Sequence, residues 1–381
     1  MFRKNPHPTL MLICILCFLS PITAQTTKPA PELQSSKGKT LKLPYTKMAL
    51  TAKFVGTAVN DVNWFNWCVS PIQGKDGKIH IFGSRWPAAE GDQGWMKSNA
   101  EIAHFVADKP EGPFKYVNTV LKTSMFPDTT KMWAPHNPRI EYVDGKYILL
   151  YIFQTVKKDV KMRIGMMVAD QLEGPWRFAG NHNGQVAESS KAPNHWTYNS
   201  VIGIDNPAFM KIGKKYYIYF KSGTPTQMAA RYGYAVADKL EGPYILQNKA
   251  LTDNVSYIED AQAFKADKKY FLLTTDNMGG NTGIYGDIIL WSSETGTDFK
   301  LKDAKIAMGN VLDYWGTPED HKKLLVDPNH YEHDKSGKLE RPAVLLLNDK
   351  PAYFYSTAGL NISGGKVSET YVFKIDWNEG Q

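Results

Sequence analysis

Two short stretches of the chain put carboxyl groups where a reaction could use them. Asp205 stands in IDNPAFM and Glu259 in IEDAQAF, 54 residues apart. Each acid sits just ahead of an apolar, strand-like run that carries it toward an interior, where a charge without a partner or a task is expensive. Two such acids can divide one job between them: a carboxyl held protonated by its surroundings donates to a leaving oxygen, while another, kept ionised, activates water. Trp64, Trp67, Trp86, Trp133, Trp196 and Tyr198 lie in segments that could reach the same face. Their flat rings are suited to stacking on pyranose sugars. Paired acids with aromatic walls are the constellation of glycosidic-bond cleavage.

Such acids must be positioned by repeated elements, and the chain repeats itself. VADKPEGPF at 106–114, VADQLEGPW at 168–176 and VADKLEGPY at 236–244 are near copies. A strand, a tight turn and an aromatic-rich second strand recur as SPIQGKDGKIHIFGS, NPRIEYVDGKYILLYI, NPAFMKIGKKYYIYFKS, AQAFKADKKYFLLTTD and RPAVLLLNDKPAYFYST. Asp76, Gly77, Asp144, Gly145, Gly213, Asp267 and Asp349 supply the turn-prone or left-handed positions that two-strand hairpins need. Five hairpins, each followed by further strand, imply five units of four short antiparallel strands. The expected fold is all-β, a five-bladed β-propeller. A β-sandwich does not need five similar hairpins, and a β-helix repeats at a shorter period. The Glu-Gly-Pro turns are blade-edge geometry with an aromatic that packs between blades, so Glu111, Glu173 and Glu241 are not catalytic candidates. In the fourth unit the turn has drifted to WSSETGTDF, with Trp291 and Phe299 expected in the equivalent places.

In a propeller the innermost strands surround the axis, so their first residues gather at one hub. These are Trp67, Cys68 and Ser70; His136 and Asn137; Asp205 and Asn206; Glu259 and Asp260; Glu340 and Arg341. Glu340 and Arg341, opposite in sign, are expected to close the hub as structural charges. Cys68 reads as a buried structural thiol. His136 could be a substrate ligand, an acid, a ligand to a hub ion or a hydrogen-bonded structural residue. Arg85 is a candidate ligand for an acidic or sulfated sugar, although an ion pair is the commoner fate of such an arginine.

Composition sets the outer bounds. With 381 residues, 43% of them hydrophobic, the chain can bury a large core. The basic start MFRKNPHP, the short apolar run TLMLICILCFLSPI and the small residues before Gln25 read as a secretion signal over 1–24. Residues 25–50 read as a linker and 51–381 as the propeller. A secreted or periplasmic location follows, with no membrane attachment once the signal is removed. Two of the three cysteines leave with that signal, so only Cys68 remains and an internal disulfide is excluded. The net charge of +7 is spread without blocks of like sign, which argues against a nucleic-acid partner.

At the strand heads the sequence resembles the five-bladed glycoside hydrolases of family 43 and its relatives such as family 117, over most of the chain after about residue 55. The resemblance implies that Glu259 donates the proton to the glycosidic oxygen and that Asp205 tunes its pKa and orients it. It also implies a base in blade one, where aligning the hairpin places Cys68 or Val69. Asp61, in NDVNWFNW, is the nearest upstream acid and is taken as the candidate, with Glu90 and Asp92 as loop alternatives. Trp133, Ala134, Pro135 and His136 stand where the family often has Trp-Ala-Pro-Asp. His136, Asn137, Trp133, Arg85, Trp67 and Trp86 are the expected substrate contacts. The implied activity is hydrolysis, inverting, of a plant or algal poly- or oligosaccharide; a carbohydrate-binding propeller that has lost its base is the alternative. No cofactor is expected, although His136 and the nearby acids are compatible with a structural calcium at the hub.

Overall fold

The computed structural model describes residues 43–155, 159–180, 183–223, 230–326, 337–359, 362 and 367–379. The expected signal at 1–24 and most of the expected linker lie outside them. Five antiparallel sheets form the blades of a propeller. Blade one runs from the inner strand Trp64–Gln73 through Ile79–Pro87 and Glu101–Ala107 to Lys115–Lys122. The inner strands of the other blades are Trp133–Val143, Asp205–Ile212, Ile258–Ala266 and Glu340–Leu347. Blade five takes its outermost strand from the other end of the chain: Lys53–Val59 pairs antiparallel with Glu369–Lys374 and so closes the ring. The chain joins the body before the expected boundary at residue 51. Thr46 donates its N–H to Ile306 O at 2.9 Å, and Met48 is fully buried beside blades four and five.

The hairpins use the residues that the sequence singles out. Asp144–Gly145, Asp267–Lys268 and Asn348–Asp349 each place two successive residues at positive φ, the geometry that matches the twist of the flanking strands. Second strands such as Lys146–Thr155 and Lys215–Ser222 bury most of their aromatic and β-branched side chains, and the large apolar clusters lie where neighbouring blades face each other.

The repeated Glu-Gly-Pro turns staple each blade to the one before it. Phe114 packs edge-on against Tyr355 of blade five and Trp176 against Phe82 of blade one. Glu111 accepts from Tyr353 Oη at 2.7 Å, and Glu241 forms a two-pronged pair with Arg177 at 2.5 and 2.8 Å. In blade four Phe299 fills the aromatic role against Tyr219 of blade three. Trp291 sits earlier, within the third strand, fully buried and donating to Thr274 Oγ1.

Candidate active site

A bulge near the start of every inner strand builds the hub. Pairing with the second strand skips between Trp67 and Ser70, His136 and Arg139, Asp205 and Ala208, Glu259 and Gln262, and Glu340 and Ala343. Just after the first residue of each pair comes a residue in the left-handed region: Cys68, Asn137, Asn206, Asp260 and Arg341. Such conformations are costly for side chains other than glycine and asparagine and cluster at functional sites. The bulges therefore define two stacked rings. The upper one consists of Trp67, His136, Asp205, Glu259 and Glu340, the lower one of Cys68, Asn137, Asn206, Asp260 and Arg341.

The lower ring is a seal. Asn137 Nδ2 donates to Asn206 Oδ1 at 3.0 Å, Asn206 Nδ2 to Asp260 Oδ1 at 2.8 Å and Arg341 Nη1 to Asn206 Oδ1 at 2.7 Å. Arg341 also forms an ion pair with Asp260, whose other oxygen accepts from Thr275 Oγ1. Below it, Arg139 reaches across the axis to the carbonyls of Asp260, Ala261 and Pro342. A separate cavity of about 300 Å³ opens at the far ends of the inner strands, lined by residues such as Ile72, Glu141, Met210, Phe264 and Leu345. Arg341 thus closes the hub as expected, but its partner is Asp260; Glu340 pairs with Lys338. Adjacent residues at a bulge diverge, so the two opposite charges in sequence find different partners.

In the upper ring Asp205 and Glu259 share one cation. Lys221 lies directly across the strand pair from Asp205, and its Nζ stands 3.4 Å from Asp205 Oδ2 and 2.8 Å from Glu259 Oε2. Those two carboxylate oxygens are therefore no more than about 6.2 Å apart. Tyr257 Oη also lies 3.1 Å from the ammonium, and Asn277 Nδ2 donates to Glu259 Oε1 at 2.5 Å. Lys338 contacts Asn277 Oδ1 and Glu340. The side chains of Asp205 and Glu259 keep 11% and 13% of their surface open, against 4% for Lys221.

This arrangement drives the two acids apart electrostatically. Burial pushes Asp205 up to about 6, and Glu259 beside it adds to the rise while Lys221 opposes it. Among the described residues its Oδ1 has no hydrogen-bond partner to favour ionisation. Burial also works upward on Glu259, but Lys221, Arg341 and Lys338 together outweigh it and hold this carboxyl below its usual range. The proton of the pair thus rests on Asp205. The sign for stability follows: Asp205 favours the folded state below about pH 4, and that contribution is lost as pH rises through about 6.

The remaining candidates are placed as follows. His136 occupies the upper ring in blade two, buried under Trp95 at a ring distance of 5.0 Å. Its Nδ1 lies 2.7 Å from Ala134 O, which makes Nδ1 the protonated nitrogen and leaves the lone pair on Nε2; burial lowers its pKa to about 4, so the ring is neutral near pH 7. Trp67 and Trp133 are half-buried in an apolar group with Trp95 beside this position. Asn137 belongs to the seal. Trp86 is stacked on Phe65 and almost wholly buried, so its face is covered. Arg85 is engaged within blade one, paired with Glu101 at 2.7 Å and lying over the rings of Trp64 and Tyr116. Asp61 accepts the N–H of Asn63 in the turn before blade one, and no hydrogen bond or ion pair among the described residues ties it to the ring. Glu90 is paired with Lys97 and accepts from Asn99. The bulge register puts Trp67, rather than Cys68 or Val69, at the position equivalent to Asp205 and Glu259. Lys221, Tyr257, Asn277 and Lys338 escaped the sequence reading; an inward lysine at the end of the aromatic strand KYYIYFKS was the one available signal for Lys221.

Solved structures share this architecture. A family 117 glycoside hydrolase of the marine bacterium Zobellia galactanivorans superposes with a TM-score of 0.56 at 15% identity, over 88% of this chain and 90% of the other. The fold is that of five-bladed glycoside hydrolases. A family 43 enzyme of Xanthomonas citri complexed with xylose gives 0.54 at 13% identity, over 87% and 92% of the two chains. An α-L-arabinofuranosidase from Lactobacillus brevis gives 0.53 at 12%, over 84% and 94%. No protein-family model matches the chain, and no curated protein does.

Proposed function

We propose that the protein is a glycoside hydrolase acting outside the cytoplasm on a plant or algal poly- or oligosaccharide. The observation that carries this reading is the pair Asp205 and Glu259 on one lysine, with one proton between them below about pH 6. Glu259 is the donor to the glycosidic oxygen and Asp205 the neighbour that stores the proton and tunes it. A sugar hydroxyl that accepts from Lys221 draws the ammonium off Glu259, and exclusion of water by the sugar raises the proton affinity of that carboxylate further. The separation of the pair supports this division. An inverting acid and base stand about 6.5–9.5 Å apart with water between them; Asp205 and Glu259 are closer, so Asp205 assists the acid and does not serve as that base.

The acidic pair makes a pH prediction. In the free protein kcat/KM reports the proton on Asp205, so it falls as pH rises through about 6. Asp205→Asn removes that limb of the profile; an unchanged limb excludes Asp205 as the store.

Trp67 in blade one favours a second reading, a carbohydrate-binding propeller, because the ring position that would complete a water-activating wall holds an indole. In either reading Trp67, Trp133 and the Nε2 of His136 form the sugar-facing wall. Trp67→Ala is expected to weaken saccharide binding about two- to tenfold, the worth of one aromatic stack, measured by calorimetry on the polysaccharide that the wild type binds. Screening released reducing sugar against plant and marine polysaccharides decides between the two readings.

A further inference from the structure

Blades one and two meet a second time, in the turns at the ends of the strands remote from the acid pair, through a group of side chains that the hub does not use. Asp76 lies in the first hairpin of blade one and His80 in the strand that follows it, while Glu173 belongs to the Glu-Gly-Pro turn of blade two. One ligand atom from each lies within 4.8 Å of the other two. His80 is buried, with Nε2 at 3.2 and 3.4 Å from the Asp76 carboxylate oxygens; Asp76 and Glu173 are open to water.

Three observations make this more than a chance meeting. The equivalent turn glutamates in blades one and three each meet a proton donor, Tyr353 for Glu111 and Arg177 for Glu241. Glu173 instead approaches a second carboxylate, an arrangement that repels unless a cation lies between the two. His80 is also oriented from behind. Its Nδ1 is 2.8 Å from Nε2 of His104, a fully buried ring stacked on Phe82, and among the described residues the Nδ1 of His104 has no partner. In the ion-free state His80 Nε2–H donates to Asp76. An ion takes the place of that proton, which leaves the Nε2 lone pair to the metal and puts a proton on His80 Nδ1. His104 Nε2, with the His104 proton on its own Nδ1, is then the outer-shell acceptor that metal-bound histidines use. Finally, Gly74 leaves the space open. A Cβ there would stand 2.4 Å from Asp76 Oδ1 and 2.7 Å from His80 Nε2, although its backbone is not in the left-handed region that would itself call for glycine.

We propose that Asp76, His80 and Glu173 bind one divalent transition-metal ion of the zinc class, with water completing the shell, and that the ion clamps the blade-two turn to the blade-one hairpin. One nitrogen and two carboxylate oxygens suit such an ion. Bonds of about 2 Å bring tetrahedral ligand atoms to roughly 3.3 Å from one another, so the exposed carboxylates close in by up to about 1.5 Å through their rotamers.

The test titrates ZnCl₂ into metal-stripped protein by calorimetry and follows the melting temperature in parallel. The wild type is expected to take up an equivalent of zinc that raises its melting temperature. Asp76→Asn and Glu173→Gln, both at exposed positions, each weaken that uptake at least tenfold, and the double variant loses it together with the thermal rise. Glu241→Gln, the same turn residue one blade on, binds as the wild type does. Cobalt(II) gives an independent readout, a visible absorption that the two variants lose. Absence of binding to the wild type at millimolar zinc, or equal binding by Asp76→Asn and Glu173→Gln, overturns the site.

Discussion

Glu259→Gln lowers kcat/KM by about 10² to 10⁴ on oligosaccharides whose leaving group is another sugar, the range a positioned general acid supplies. The same variant retains most of its activity on aryl glycosides with acidic phenol leaving groups, because such a phenolate departs without a proton. The contrast between the two substrates separates the donor role from any other role of the same carboxylate. A side chain that stabilises charge at the anomeric carbon through its own ionised form would cost both substrates alike. Glutamine keeps the shape and can still face Asn277 and Lys221, so a folding defect is not expected to confuse the measurement. Equal losses on the two substrates would remove Glu259 from the donor role.

Lys221→Met has the largest expected effect on stability. Lys221 is buried and touches both ring carboxylates, and its ammonium is held charged well above its ordinary range by Asp205 and Glu259 against the opposing effect of burial. Removing one member of a buried charge group leaves its partners unpaired, at a cost of about 3–5 kcal/mol. Denaturant unfolding near pH 7 measures it. The loss shrinks as pH falls, because protonated Asp205 and Glu259 no longer need the cation. The same substitution raises the pKa values of both acids and shifts the activity profile toward higher pH. A variant as stable as the wild type at pH 7 would mean that the two carboxylates do not depend on this ammonium.

The fold was legible because its signals are local and repeated. Asp144–Gly145 and the Glu-Gly-Pro turns announce a hairpin and a blade edge wherever they stand, and five hairpins in order imply the ring. The closure of blade five by Lys53–Val59 was not legible, since pairing between opposite ends of a chain leaves no short-range mark. At the hub, Asp205 and Glu259 could be found because an acid ahead of an apolar strand is conspicuous. The blade-one position was misplaced by a residue or two, because hairpin alignment does not reveal a bulge, and a bulge decides which side chain faces the axis. Lys221 and Lys338 come from a second strand and a loop, and only three-dimensional contact joins them to the acids. Arg85 and Trp86 illustrate the converse: their types suit sugar binding, yet Glu101, Trp64 and Tyr116 surround the one and Phe65 covers the other.

The most direct measurement is reducing-sugar release from a polysaccharide that the protein demonstrably binds, with wild type and Glu259→Gln run side by side. Release by the wild type and none by the variant, at equal binding, is the predicted result. Binding without release by the wild type, or equal release by both, would contradict a reaction centred on Asp205 and Glu259.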